Sequence, residues 1–294
     1  MDITDIFCFI DDFCQVFEPL LKKNLLKDGK ARRNRKGRMS LSEIMTILVL
    51  FHPSQMKTFK DFDLRVVKAS YQSYFPKLLS YNRFVEWMPR TVVPFIGLFL
   101  FTRGECTGIS FIDSMPIKVC HPIRAQRNRV FKGLAQSGKS SMGWFFGFKL
   151  HTVINHKGEI IDVRFSSGNV HDTKMLLPLS KRLFGYLFGD KGYISTQKRT
   201  VLEEKHQVRL ITNVRSNMTP IFKTPFEKSM LSKRFLIETV FGKLKSWTNI
   251  SHSRHRSPRN FLVNLFSALV SYNKWSKKPK IPTLESIALK PNLG

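Results

Sequence analysis

The sequence predicts an α/β protein in which an all-helical N-terminal domain precedes a mixed-sheet domain. Three observations carry that expectation. Apolar residues in the first hundred positions recur at helical intervals, and near residue 105 they give way to short apolar runs, one of them alternating. Beyond residue 229 the helical spacing returns. The chain has 294 residues, 42% of them hydrophobic and 12% aromatic, which excludes a disordered or fibrous chain.

The elements follow in order. Ile6, Ile10, Phe13 and Phe17 share one helix face. Ser40-Leu-Ser-Glu43 is a capping box ahead of an apolar run to Phe51. Further helical patterns cover 59–74 and 82–101. A strand over 108–112 leads into Asp113, and a loop of basic, Gly and Ser residues fills 124–141. In the run 144–154, Phe146, Phe148 and Leu150 alternate with Gly147, Lys149 and His151, a strand with one buried face, and His151 on its polar face reads as structural. The turn Asn155-His-Lys-Gly158 returns it as a hairpin through 159–165. Asp172 reads as the N-cap of a helix to about Leu183. A strand over 186–190, a helix to Lys205 and a strand over 208–212 follow. Helices over 229–247 and 258–275 finish the pattern. The expected domains are 1–104, helical; 105–276, mixed sheet; and 277–294, a basic tail.

Charge narrows the function. Lysines and arginines number 49 against 21 acids, a net charge of +28, so a polyanion is the expected partner, with nucleic acid first and an anionic membrane surface second. Residues 22–38 hold nine basic residues and one acid, Asp28. The longest apolar runs, 44–51 and 91–102, fall short of the roughly 20 residues of a membrane span. The acidic start and the four cysteines without CxxC spacing read as a cytoplasmic protein with reduced thiols in its core.

Asp113 and Asp190 each close a short apolar strand, and Glu238 lies in a helix among Phe235, Val240, Phe241 and Leu244. Converging carboxylates repel unless cations sit between them, and hard oxygen donors suit Mg²⁺ or Mn²⁺. Arg234, three residues, Glu238, six residues and Lys245 form an R-(3)-E-(6)-K pattern on one helix face.

That pattern resembles the signature of bacterial insertion-sequence transposases of the DDE superfamily. Phe111-Ile-Asp113-Ser and Gly189-Asp190-Lys-Gly-Tyr193 resemble that family's two aspartate motifs, and the resemblance spans essentially the whole chain. It implies an RNase H-like catalytic domain that cuts the element's ends and joins their 3′-hydroxyls to target DNA. Asp113, Asp190 and Glu238 would be the catalytic triad holding two Mg²⁺ ions, for which Mn²⁺ can substitute. Arg234 and Lys245 would contact phosphates, and Lys191, Lys139, Arg32, Arg33, Arg35 and Lys36 are further DNA-binding candidates. Double-stranded DNA (terminal inverted repeats and target) and a homo-oligomer on DNA are the implied partners, with no membrane, no nucleotide cofactor and a nucleoid-associated location. The family's Tyr, separated from the Arg by two residues in the form Y-(2)-R, is replaced here by Leu231.

Two alternatives remain beside it. Gly133-Leu-Ala-Gln-Ser-Gly138-Lys139-Ser140 matches the P-loop pattern of a nucleic-acid-dependent ATPase, but a strand rather than a helix is expected after it. The other is a non-catalytic, transposase-derived DNA-binding protein.

Overall fold

The computed structural model describes residues 2–26, 37–214, 216–219, 221–251 and 254–281. They form two compact units, Met1–Thr102 with Leu244–Trp275, and Arg103–Lys243 with Ser276–Gly294. Residues 244–275 join the helical unit instead of the sheet.

In the helical unit, α1 (Ile3–Leu26) buries Ile6, Ile10 and Cys14. Phe13 and Phe17 stack on each other with centroids 4.9 Å apart. The capping box forms: the Glu43 amide donates to Ser40 Oγ and Glu43 Oε2 accepts from the Ser40 amide. It opens α2 (Leu41–Phe51), which is buried on nearly every face. The pattern over 59–74 becomes α3 (Phe59–Phe62), a π-turn (Asp63–Val67) and α4 (Lys68–Ser70). The next becomes α5 (Tyr81–Trp87), a 3₁₀ turn containing Pro89, and α6 (Val92–Thr102). Tyr81–Thr102 is 22 residues, long and apolar enough to cross a bilayer by length and composition, and longer than the run expected. Its Phe95, Leu98 and Phe99 are buried within this unit.

The last helix, α11 (Pro258–Lys274), packs on α2 and α6. His52 explains part of that attachment. Its Nε2 is 2.8 Å from Ser267 Oγ, and its Nδ1 accepts from the Asn249 amide at 3.2 Å. These bonds join positions some two hundred residues apart, a closure that local sequence patterns do not encode.

The second unit is built on β1 (Ile109–Cys120), β2 (Gln136–Ser140), β3 (Gly143–Asn155), β4 (Ile160–Ser167), β5 (Gly185–Gly189) and β6 (Val208–Thr212). β1 pairs antiparallel with β3 and parallel with β5, β3 pairs antiparallel with β2 and β4, and β5 pairs parallel with β6. Three antiparallel strands leading into two parallel ones is the RNase H-like mixed sheet. α7 (Leu176–Ser180) and α8 (Thr196–His206) supply Leu176, Leu179 and Leu202 to a core with Ile112, Val153, Leu187 and Leu210. The parallel strands are apolar on both faces because both faces are covered.

The helix expected over 229–247 is two helices, α9 (Pro225–Ser232) and α10 (Phe235–Trp247). Thr224 and Glu227 make a capping box that starts α9 early, with Pro225 at its first position. Lys233 and Arg234 turn the chain between them. Of the four cysteines, all free, only Cys14 is buried; Cys8 is exposed.

Candidate active site

β1 does not stop at Asp113 as the apolar pattern suggested. It runs on to Cys120, because β3 pairs with it over that whole length. On its other edge β5 ends at Gly189, paired with Ile112. Asp113 and Asp190 therefore follow a matched pair on neighbouring strands, where a pairing edge opens. Asp190 is exposed. Asp113 is pushed up to about 6, first by burial and then by the charge of Asp190, against the opposing pull of the Ser114 amide and Arg234.

Arg234 sits at the turn into α10 and makes a fork: Nη1 donates to Asp113 Oδ2 at 3.0 Å, and Nη2 donates to Glu238 Oε1 at 2.8 Å. The four-residue spacing that put Arg234 and Glu238 on one helix face brings them into contact. Glu238 reaches Asp113 only through that guanidinium. Among the described residues no three His, Cys, Asp or Glu side chains form a group that could hold a metal ion.

One residue of the site was read differently from the sequence. Asp172 is not a helix N-cap: His171 takes that place, its Nδ1 accepting from the Thr173 amide, and a 3₁₀ turn over Asp172–Met175 precedes α7. The Asp172 carboxylate is thus free to face the sheet. Its Oδ1 accepts from Ser114 Oγ at 3.2 Å and from Lys149 Nζ at 3.0 Å, and lies 3.7 Å from His151 Nδ1. A Cβ on Gly192 would stand 3.2 Å from Oδ2, so the small residue lets the loop carrying Asp190 come close. Tyr193 on that loop is buried, and its hydroxyl is held well above its ordinary pKa by burial and by Asp172, Asp113 and Asp190. Asp172 therefore links the chain beside Asp113 to the loop beside Asp190. The Gly-Asn-Val-His-Asp run after β4 was the only sequence signal, and it is the same signal a helix cap gives.

His151 is fully buried although it lies on the polar face of its strand, since the 171–175 turn covers the face it shares with Lys149. Burial and Lys149 lower it to about 4, while Asp172 pulls the other way. Lys191 and Lys139 are exposed, Lys139 within β2. Lys245 is exposed on the part of α10 that belongs to the helical unit. Arg32, Arg33, Arg35 and Lys36 lie outside the described residues. The P-loop pattern forms β2 with no helix after it, so its backbone cannot cradle a nucleotide phosphate.

An RNase H-like sheet with two carboxylates where the pairing of its parallel strands β1 and β5 ends defines a class of enzymes that process nucleic acids. Residues 103–258 match the family model described as transposase DDE domain, and the chain belongs to that family. Its members generally use divalent metal ions. The crystal structure of the Mos1 strand transfer complex is similar at 14% identity with a TM-score of 0.25, covering 86% of this chain and 85% of that one. That likeness is too loose to fix a fold. No curated protein matches the chain.

The donor set fits a hard divalent cation. Mg²⁺ takes one or two carboxylates and fills its remaining positions with water and substrate phosphates. Asp113 and Asp190 offer two, and the charge of Asp190 already raises the proton affinity of Asp113.

Proposed function

We propose that this protein is the transposase of an insertion sequence, binding the terminal repeats of its element, cleaving them and joining the 3′-hydroxyls to target DNA. The observation that carries this reading is the meeting of Asp113, Asp190, Arg234 and Glu238 where the pairing of β1 and β5 ends. Asp113 and Asp190 would hold the cations, with Glu238 completing the set once Arg234 turns to a phosphate. Two bound Mg²⁺ or Mn²⁺ ions supply activation of the attacking oxygen and stabilisation of the leaving one. The chain's own groups do the rest. Arg234 presents a planar fork matched to a phosphate, beside the point where negative charge grows. Asp172, through Ser114 and the Gly192 loop, fixes the spacing of the two aspartates. Lys191, Lys245 and Lys139, with the basic stretch 22–38, would hold the DNA backbone in a salt-dependent way. Two ends must be joined, so a homo-oligomer on DNA is part of the proposal, as is a nucleoid location.

A second reading has one observation in its favour. Arg234 bonds both Asp113 and Glu238 itself, an arrangement that would also suit a DNA-binding protein that does no chemistry.

The test incubates purified protein with Mn²⁺ and a plasmid carrying its gene and flanking DNA, beside Asp113→Asn. Cleavage at the element's ends by the wild type and about 10³-fold less by the variant is expected, a loss of several kcal/mol. Tight, salt-sensitive binding with no cleavage by either protein would establish the second reading instead.

A further inference from the structure

Residues 114–158 contain eight lysines and arginines and no aspartate or glutamate, in a chain that has 21 acids. Lys149 faces Asp172, but most of the others are turned outward: Arg124, Arg127, Arg129, Lys132 and Lys139 are all exposed. Inside this stretch β2 and β3 form a hairpin with the two-residue turn Ser141-Met142, closed by Gly143 at a φ of 96°. The hairpin root is fixed. Phe145 is buried, and Gly138 passes so close to the Gly168 carbonyl that any Cβ would clash. The tip is apolar and uncovered, with Met142 85% and Trp144 66% exposed. Trp144 stands directly across from Lys139 in the register.

A rigid hairpin that presents one indole and one thioether among cations with no ion pair among the described residues suits a polyanion with flat apolar faces. We propose that the β2–β3 hairpin is a nucleobase-contacting element of the DNA site, in which Trp144 stacks on a base displaced from the duplex, Met142 wedges beside the vacated step, and Lys139 meets the adjoining phosphate. This rests on the transposase reading and adds an unpaired or unstacked base to its substrate. Base–aromatic stacking tolerates any sequence, because every base has a π-face. Wedging by apolar side chains is the usual way a duplex step is opened. A lipid surface would accept the cations, but a tip of two apolar side chains fits one base step and is small for a membrane anchor. The position is also set. Trp144 lies eight residues along β3 from Thr152, the partner of Asp113. At about 3.3 Å per residue that is roughly 26 Å, or about seven to eight base pairs from the scissile phosphate.

The test needs no metal and no cleavage. Binding of a 20-nucleotide oligo(dT) strand and of a matched 20-base-pair duplex is measured in EDTA for wild type, Trp144→Ala and Trp144→Phe, with circular dichroism confirming the fold. The expected result is tryptophan quenching by oligo(dT) that disappears in Trp144→Phe. Affinity for the single strand falls about tenfold or more in Trp144→Ala, consistent with stacking, and stays within about threefold of wild type in Trp144→Phe. Quenching that persists in Trp144→Phe, with single-strand affinity unchanged in Trp144→Ala, overturns the inference and leaves the transposase reading standing. Failure of the wild type to bind either DNA overturns both. Binding to phosphatidylglycerol vesicles that needs Trp144, when oligo(dT) binding does not, overturns it in favour of a membrane.

Discussion

His52 in the helical unit and His151 in the sheet unit are the two most deeply buried histidines among the described residues, and they are treated in opposite ways. His52 of the helical unit uses both ring nitrogens, donating from Nε2 to Ser267 Oγ and accepting the Asn249 amide at Nδ1. Ser267 passes its own proton on to the Asn264 carbonyl. His151 of the sheet unit bonds Ser166 through Nε2, but its buried Nδ1 has no hydrogen-bond partner among the described residues and stands 3.7 Å from a carboxylate. An unsatisfied buried acceptor costs roughly 1–3 kcal/mol. The first network is complete and serves the fold. The second is incomplete, and such incompleteness gathers where a protein keeps polar groups for use.

The contrast makes ordered predictions. The largest effect is expected from His52→Ala, which opens a cavity and strands the Asn249 amide and the Ser267 hydroxyl. Stability should fall by about 2–4 kcal/mol, read from urea unfolding. The variant that still folds should cleave DNA like wild type. Asp172→Asn keeps the oxygen that Ser114 and Lys149 bond but removes the charge. Cleavage should drop about 10–100-fold, as for groups that orient metal ligands, with unfolding nearly unchanged; the reverse pattern would make Asp172 a plain structural residue. A further effect is in pH. Burial lowers His52 from 6.5 to about 3, so the unfolded chain binds a proton that the folded one refuses. Stability from this group is complete above about pH 6.5 and is lost as pH falls toward 3, by at most about 1.4 kcal/mol per unit. The difference in unfolding free energy between wild type and His52→Gln, followed from pH 7 to 5, should shrink accordingly.

What could be read from the sequence has a physical pattern of its own. The adjacency of Asp113 and Asp190 was legible because each motif follows an apolar strand whose direction fixes where the carboxylate emerges. The Arg234–Glu238 contact was legible because helical spacing reaches across the start of α10. Asp172 was not, since a His-Asp pair after Gly encodes a turn whether its carboxylate caps a helix or faces a sheet. His151 was misplaced because strand alternation reports one covered face, while here the 171–175 turn covers the second. The break before Arg234 left a signal in the Thr224–Glu227 capping box, hidden beneath a continuous apolar pattern. The return of α11 to the helical unit rests on bonds such as His52–Ser267, which have no local trace.

The central claim is that Asp113 and Asp190 together hold a divalent cation. Electron paramagnetic resonance titration of Mn²⁺ into the purified protein, without DNA, tests it most directly against Asp113→Asn with its fold verified. Wild-type binding that weakens at least about tenfold in the variant is the predicted result. Identical Mn²⁺ binding by both proteins would contradict the claim.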